Sequence, residues 1–309
     1  MKFTESMLEN YSQPLSTTED AQCKHTIQMI RDALRLIHYT DDNKSISPLY
    51  SDTLSYSIEM RSTVNSRKIR IFVQGSYANN TNVRTESDVD IAVVEESVFT
   101  PEYRVGVTDA NYNFSTSTSS ARPLKDEVED ALKQKFGNDV ERGNISVKVH
   151  GNTSRKDADT VPSRRHRDYR NDLYFNANNF IPGIIIYPDR GSAIVNYPEQ
   201  HIENGKKKNT TTNGYYKKYV RIMKKMRYLM EDAKISAASN VGSFLLESML
   251  WNISDNWYLT NRKFRKVYAF HELTQLLVVS KAFFSTWKEA NGIKPLCADT
   301  QTKTPQCVC

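Results

Sequence analysis

Asp88 and Asp90, with one residue between them, stand out as side chains whose type and spacing suit chemistry. On a β-strand, residues two apart point to the same face, so this pair presents two carboxylates to one side of a sheet. Carboxylates that close repel each other unless a cation lies between them or one holds a proton. Oxygen ligands favour hard divalent ions, which makes Mg2+ the expected cofactor, with Mn2+ as its alternative. Gly75-Ser76 precede the pair. Glycine lets the backbone approach a ligand closely, and a serine with exposed amides donates hydrogen bonds to phosphate oxygens. Phosphate and metal would then meet at one place. In a two-metal arrangement one ion holds a triphosphate, the other lowers the pKa of an attacking hydroxyl, and both steady the in-line transition state. A third carboxylate has to complete the second ion's shell. The segment Lys156-Asp157-Ala158-Asp159 offers two, and because these also share a strand face, spacing alone leaves both Asp157 and Asp159 open.

Strands and turns must position these groups. A β-branched run over 69–73 stops at Gly75-Ser76, and 88–94 reads as a second strand carrying Val89, Ile91, Val93 and Val94. Alternating Val and Lys over 145–149 predict a third strand, and further short strands are expected at 173–175, 183–187 and 193–196. A polar stretch over 41–52 and a Ser/Thr-rich patch over 111–121 read as loops.

Helices are predicted over 17–37, where Ile27, Ile30, Leu34 and Ile37 recur three and four apart, and over 124–136, 241–253 and 271–288. Another, over 216–230, carries an apolar stripe of Tyr216, Tyr219, Val220, Met223, Met226 and Met230, read as core filling. Lys217, Arg221 and Lys224 fall on a different face of it, and the interval from Lys206 to Arg227 holds no acidic residue. A solvated face and an anion-binding face both account for that charge.

One helix, a sheet-forming region and a helical region imply an α+β fold, a mixed sheet with helices joined to a C-terminal helical lobe. The expected division is a core over 1–205 with its N-terminal helix, a helical lobe over 206–296 and a flexible tail over 297–309. A chain of 309 residues with 39% hydrophobic content can bury such a core. The formal charge of +6 is compatible with an anionic ligand without requiring one. No run approaches the ~20 apolar residues that span a bilayer, and the polar start lacks the pattern of a secretory signal, so a cytoplasmic location is expected. Cys23, Cys297, Cys307 and Cys309 are not spaced as a disulfide framework, and reduced thiols are expected.

Gly75-Ser76, Asp88-Val89-Asp90 and Ala158-Asp159-Thr160-Val161-Pro162 together resemble the nucleotidyltransferase superfamily of DNA polymerase β type. Within it the resemblance is to the cGAS/DncV-like bacterial enzymes, the CD-NTases of CBASS anti-phage signalling, over roughly residues 60 to 255. The resemblance implies a polymerase β-like core and selects Asp159 over Asp157 as third metal ligand beside Asp88 and Asp90. Val220-Arg221-Ile222-Met223-Lys224 is similar to a family helix whose lysine contacts the triphosphate, which implies that role for Lys224. Ser243-Phe244-Leu245-Leu246-Glu247 is similar to the family's Ser-Tyr-x-Leu-Glu element, implying a phosphate contact for Ser243 and base stacking for Phe244, where the family's tyrosine is replaced. Gly75 and Ser76 complete the implied nucleotide site. No zinc-binding insertion is present, so a DNA activator is not implied.

The resulting expectation is an enzyme that condenses nucleoside triphosphates into a cyclic di- or trinucleotide, releasing pyrophosphate, for a downstream effector. One rival is a linear or acceptor-modifying nucleotidyltransferase, resembling oligoadenylate synthase or an RNA-tailing enzyme. Another is a non-catalytic RNA-binding module using the surface from Lys206 to Arg227. His201 is expected to be a structural hydrogen-bonding residue. The ending Gln306-Cys307-Val308-Cys309 resembles, loosely, C-termini that some of these bacterial enzymes offer to a ubiquitin-conjugating-like partner, which makes Cys307 and Cys309 a candidate conjugation tail.

Overall fold

The computed structural model describes residues 3–51, 53–84, 88–117, 122–152 and 155–297. The chain divides into two compact units, one of residues 18–77 and 88–199, the other of 1–17, 78–87 and 200–309. This differs from the expected division at 205/206. The first residues and the short segment after Ala78 belong with the helical unit, because Leu8 joins that unit's core and Arg221 binds the carbonyls of Ser12 (2.8 Å) and Asn80 (2.6 Å). The expected tail over 297–309 lies, beyond Cys297, outside the described residues.

The sheet unit holds ten strands among the described residues: β1 (Tyr39–Thr40), β2 (Ser47–Pro48), β3 (Tyr56–Ser62), β4 (Lys68–Val73), β5 (Val89–Glu102), β6 (Val140–Arg142), β7 (Val147–Val149), β8 (Ala158–Asp168), β9 (Ile181–Ile186) and β10 (Ile194–Asn196). Their main order is β1-β3-β4-β5-β8-β7-β6, with β2 on β3 and the β9-β10 pair on the second half of β8. β5 and β8 run parallel and the other pairs antiparallel, which gives the mixed sheet that was expected. The first half of β5 carries the β-branched residues Val89, Ile91, Val93 and Val94, all fully buried, as the interior of a sheet requires. On one face Phe72, Ala92, Val94, Val161, Ile184 and Ile186 form a core cluster. Counting back by twos along β5 and β8 from Ala92 and Val161, that same face reaches Asp90 and Asp159. The helix Leu124–Phe136 forms as predicted, burying Leu124, Val128, Ala131 and Leu132.

One expectation for the sheet unit is corrected, and one strand comes in addition. Residues 173–175 are a turn, not a strand. Buried Asp172 accepts hydrogen bonds from the Asn176 amide (3.0 Å), Asn179 Nδ2 (2.7 Å) and the Tyr112 hydroxyl (2.7 Å), and Phe175 takes a φ of 56°, so the backbone cannot run extended there. β3 was not foreseen, although Tyr56, Ile58 and Met60 alternate with exposed Glu59 and Arg61 in the pattern of a half-buried strand.

The helical unit is centred on the helix Tyr215–Asp232, whose Tyr216, Tyr219, Val220, Ile222 and Met226 pack with Leu250, Ile253, Tyr258, Ala269, Leu273 and Leu277. Met223 packs against this cluster, whereas Met230 is exposed and ends the stripe early. The helix expected over 271–288 is Lys266–Val279, followed by a 3-10 turn over Ser280–Thr286. Its earlier start has a distant cause: the Glu5 carboxylate accepts from the amides of Lys266 (2.8 Å) and Val267 (3.1 Å), which satisfies two of the free donors at a helix N-terminus. Pro198 opens a further helix, Pro198–Thr211, where proline's fixed φ suits the first turn. Among the described residues no helix is long and apolar enough to cross a membrane.

Candidate active site

β4 ends in a turn that only glycine fits. The Gln74 amide donates to the Asp90 carbonyl (2.9 Å), and Gly75 then takes a φ of +66° to begin the short helical turn Gly75–Ala78, which carries Ser76. A Cβ built on Gly75 would overlap Asp90 Oδ2, so the Asp90 carboxylate lies directly against the glycine backbone. Asp88 stands immediately before β5 and Asp90 is the second residue of that strand. On the parallel neighbour the Cα partner of Asp90 is Asp159. The Val89 amide donates to the Asp157 carbonyl (2.9 Å), which fixes the two strand entrances side by side. Gly75, Ser76, Asp88, Asp90 and Asp159 thus belong to one unit, and the register brings the last two face to face.

The two aspartates that spacing left open differ in their surroundings. Asp157 turns toward its own loop, accepting from the Gly151 amide and lying 3.3 Å from Lys148 Nζ, and these contacts hold its carboxyl below the usual carboxylate range. Asp159 accepts from Ser146 Oγ (3.2 Å); burial pushes its carboxyl up, Lys148 opposes this, and the charge of Asp88 adds to it. Asp159 therefore feels the charges of both Asp88 and Lys148.

Lys148 is the residue the sequence reading missed. Its Nζ lies 2.7 Å from Asp88 Oδ2, and its Cα pairs with Asp159 across β7 and β8. The hydrogen bond to Asp88 keeps this ammonium protonated well above the usual lysine range. The Val147-Lys148-Val149 alternation held the signal, because burying both valines sends the lysine to the opposite face. As they stand, the carboxylates are not gathered around one point: among the described residues no three acidic, histidine or cysteine side chains are arranged to hold a metal ion. By donor type the aspartates fit a hard divalent cation, and the ammonium among them marks where positive charge is stabilised.

The helical unit holds Lys224, Ser243 and Phe244. Lys224 is buried, and its Nζ binds Glu247 Oε2 (2.5 Å) and Thr81 Oγ1 (3.2 Å). Glu247 also accepts from Thr81 (2.8 Å) and lies 2.8 Å from His201 Nε2, so His201 has the structural hydrogen-bonding place expected of it. Burial alone would raise the Glu247 carboxyl, but Lys224 and His201 hold it well below the usual range. Ser243 begins the helix Ser243–Asn252, and Phe244 is 38% exposed with its ring edge-on to His201 at 5.1 Å. Lys217, Arg221 and Lys224 are all at least nine-tenths buried, which corrects the solvated-face reading for these three: Arg221 is held by protein carbonyls and Lys224 by the Glu247 carboxylate, not by water. Cys307 and Cys309 lie outside the described residues.

Residues 203–308 match the cGAS/DncV-like nucleotidyltransferase C-terminal helical domain, and residues 58–142 match the nucleotidyltransferase domain. The chain is 45% identical over 304 residues to the cyclic GMP-AMP synthase CdnE03 of Staphylococcus schleiferi, covering 98% of this chain and 93% of the relative. It is 34% identical over 265 residues to the cyclic dipurine nucleotide synthase of Elizabethkingia meningoseptica, covering 84% and 80%. Among solved structures, Rhodothermus marinus CdnE c-UMP-AMP synthase with Apcpp and Upnpp is similar with a TM-score of 0.70 and 27% identity, over 96% of this chain and 89% of that one.

Proposed function

Because the chain belongs to the cGAS/DncV-like nucleotidyltransferase family, we propose that it joins two nucleoside triphosphates into a cyclic dinucleotide with release of pyrophosphate. The observation that carries this reading is the pairing of Asp90 with Asp159 in register, with Asp88 immediately before the same strand and Gly75 against the Asp90 carboxylate. In each half-reaction a ribose hydroxyl of one nucleotide attacks the α-phosphorus of the other, the bond to the bridging oxygen breaks, and pyrophosphate leaves. Repeating this in the reverse sense closes the ring.

Asp88, Asp90 and Asp159 are proposed to hold Mg2+, or Mn2+, which when bound supplies Lewis acidity at the phosphate and acidifies the attacking hydroxyl. The chain's own part is to fix these carboxylates on one rigid sheet face and to bring backbone amides of the Gly75-Ser76 turn close to phosphate oxygens. Ser243 is proposed as a phosphate contact and Phe244 as a base-stacking surface, which its exposure permits. Lys224 is proposed to act on the triphosphate by exchanging its Glu247 partner for phosphate.

The relatives use different base pairs, and the 45% identical one is a cyclic GMP-AMP synthase, so ATP with GTP is the first pair to test. Purified protein incubated with labelled triphosphates and Mg2+ is expected to give a phosphatase-resistant product that co-migrates with a cyclic standard. A product that loses label to phosphatase favours the linear rival. An RNA-binding module is disfavoured by the burial of Lys217, Arg221 and Lys224, which removes three cations from its surface. The product's use by a downstream effector in anti-phage signalling belongs to this proposal. So does a ubiquitin-conjugating-like partner at the C-terminus, to be dropped if removing residues 307–309 leaves conjugates and activity in cells unchanged.

A further inference from the structure

We infer that Lys148 is a built-in counter-ion that occupies Asp88 until a divalent cation arrives together with triphosphate, so that the site resists loading with metal alone. The inference rests on the metal-site reading above. Its ground is geometry. Lys148 Nζ lies 2.7 Å from Asp88 Oδ2 and 3.3 Å from Asp157 Oδ2. Its flanking valines are fully buried and anchor β7 to β8, so Lys148 is projected onto the carboxylate face at the position opposite Asp159. Ser146, two residues earlier on the same side, holds Asp159 Oδ1. One short segment thus restrains two of the three proposed ligands, with a charge on one and a hydroxyl on the other.

A hard cation must compete with the ammonium for the charge of Asp88, because one carboxylate stabilises each of two neighbouring cations less than it stabilises one alone and the two repel. Lys148 is built to leave. Its side chain is 28% exposed, and a lysine's four-carbon stem reorients with little constraint from its charged end. The triphosphate brings negative charge that can take up the released ammonium, whereas a metal ion arriving alone leaves it only Asp157, 3.3 Å away. Displacement is therefore easier in the presence of nucleotide, and by linkage metal and nucleotide must each strengthen the other's binding.

The test measures Mn2+ binding to the full chain by electron paramagnetic resonance, with and without a non-hydrolysable ATP analogue. Lys148→Met is expected to bind Mn2+ alone about tenfold tighter than the unaltered protein, an ordinary linkage magnitude, and to gain less from the analogue. Lys148→Gln, which keeps a donor without the charge, is expected to do the same, and Lys148→Arg to bind no tighter than the unaltered chain. Unchanged or weaker Mn2+ binding in folded Lys148→Met and Lys148→Gln overturns the inference and makes Lys148 a structural strut. Asp90→Asn separates the two levels. If it leaves Mn2+ binding intact, the metal-site reading fails; if it abolishes binding while the Lys148 variants change nothing, only the counter-ion fails.

Discussion

Asp90 and Asp159 are partners across the parallel pair β5 and β8, so two acidic side chains far apart in sequence stand opposite each other on one sheet face. Adjacent strands lie ~4.8 Å apart, a separation at which two ionised carboxylates are stabilised by a shared cation. Asp159→Asn and Asp90→Asn are each expected to lower product formation by about a thousandfold or more, since metal stabilisation of transferring charge amounts to several kcal/mol. Thermal stability should hold or rise, because the like charge is removed. Asp157→Asn should cost under about tenfold in rate, as its carboxylate serves the Gly151 turn and Lys148. Equal losses from Asp157→Asn and Asp159→Asn would remove the distinction.

Gly75 tests the fit between turn and ligand. Gly75→Ala adds a methyl group that meets Asp90 Oδ2, at a φ where an L-residue costs roughly 1–2 kcal/mol. Activity is expected to fall further than that strain implies, because the displaced group is a proposed ligand. Gly106→Ala is the control: it too has positive φ, but its new Cβ meets nothing within 4 Å, so it should lose stability without losing the rate of the folded fraction. Comparing turnover per folded molecule in the two variants separates clash from backbone strain.

The parts of the site legible in the sequence were those written in local patterns. The Asp88/Asp90 spacing, the glycine turn and the β-branched run over 88–94 each state a strand or turn in a few residues, and the structure has them there. The register that sets Asp159 beside Asp90 is a long-range property, and the preference for Asp159 came only through family resemblance. Lys148 was visible in the Val-Lys-Val alternation, but its partner lies 60 residues away. Burial of Lys217, Arg221 and Lys224 was misread because a helix wheel shows that a face is charged, not what covers it. The helix starting at Lys266 depends on Glu5, 261 residues earlier in the chain.

Glu247 is the keystone of the buried polar cluster in the helical unit, with Lys224, Thr81 and His201 all directed at its two oxygens. Glu247→Gln leaves Lys224 buried without a full counter-charge and is expected to cost about 3–5 kcal/mol, the usual penalty for breaking a buried ion pair from one side. The carboxyl is held below its usual range, so its contribution is fully present above the unfolded value near 4.3 and is lost as pH falls through the folded one. The variant and the original chain should therefore converge in stability in strong acid. Replacing both partners, Glu247→Leu with Lys224→Met, should recover much of the loss. Urea denaturation across pH reads all three outcomes, and a Glu247→Gln chain as stable as the original at pH 7 would contradict the assigned geometry.

Lys217 carries the opposite sign. Burial pushes its ammonium down to about 8, with the charge of Glu247 opposing the shift and Arg221 and Lys206 adding to it. A base whose folded pKa is depressed penalises the folded state while both states are protonated. Between about 8 and the unfolded value of 10.5 the unfolded chain holds the proton that the folded chain has released, so this group makes stability rise with pH across that window. The penalty at pH 7 is of the order of 3 kcal/mol. Lys217→Met keeps most of the stem and removes the charge, so it should raise the urea midpoint at pH 7 without changing the m-value. That advantage should shrink from pH 8 and vanish near pH 10.5. A variant no more stable than the original at pH 7, or one whose advantage persists at pH 10.5, would show that the buried ammonium is not the source of the penalty.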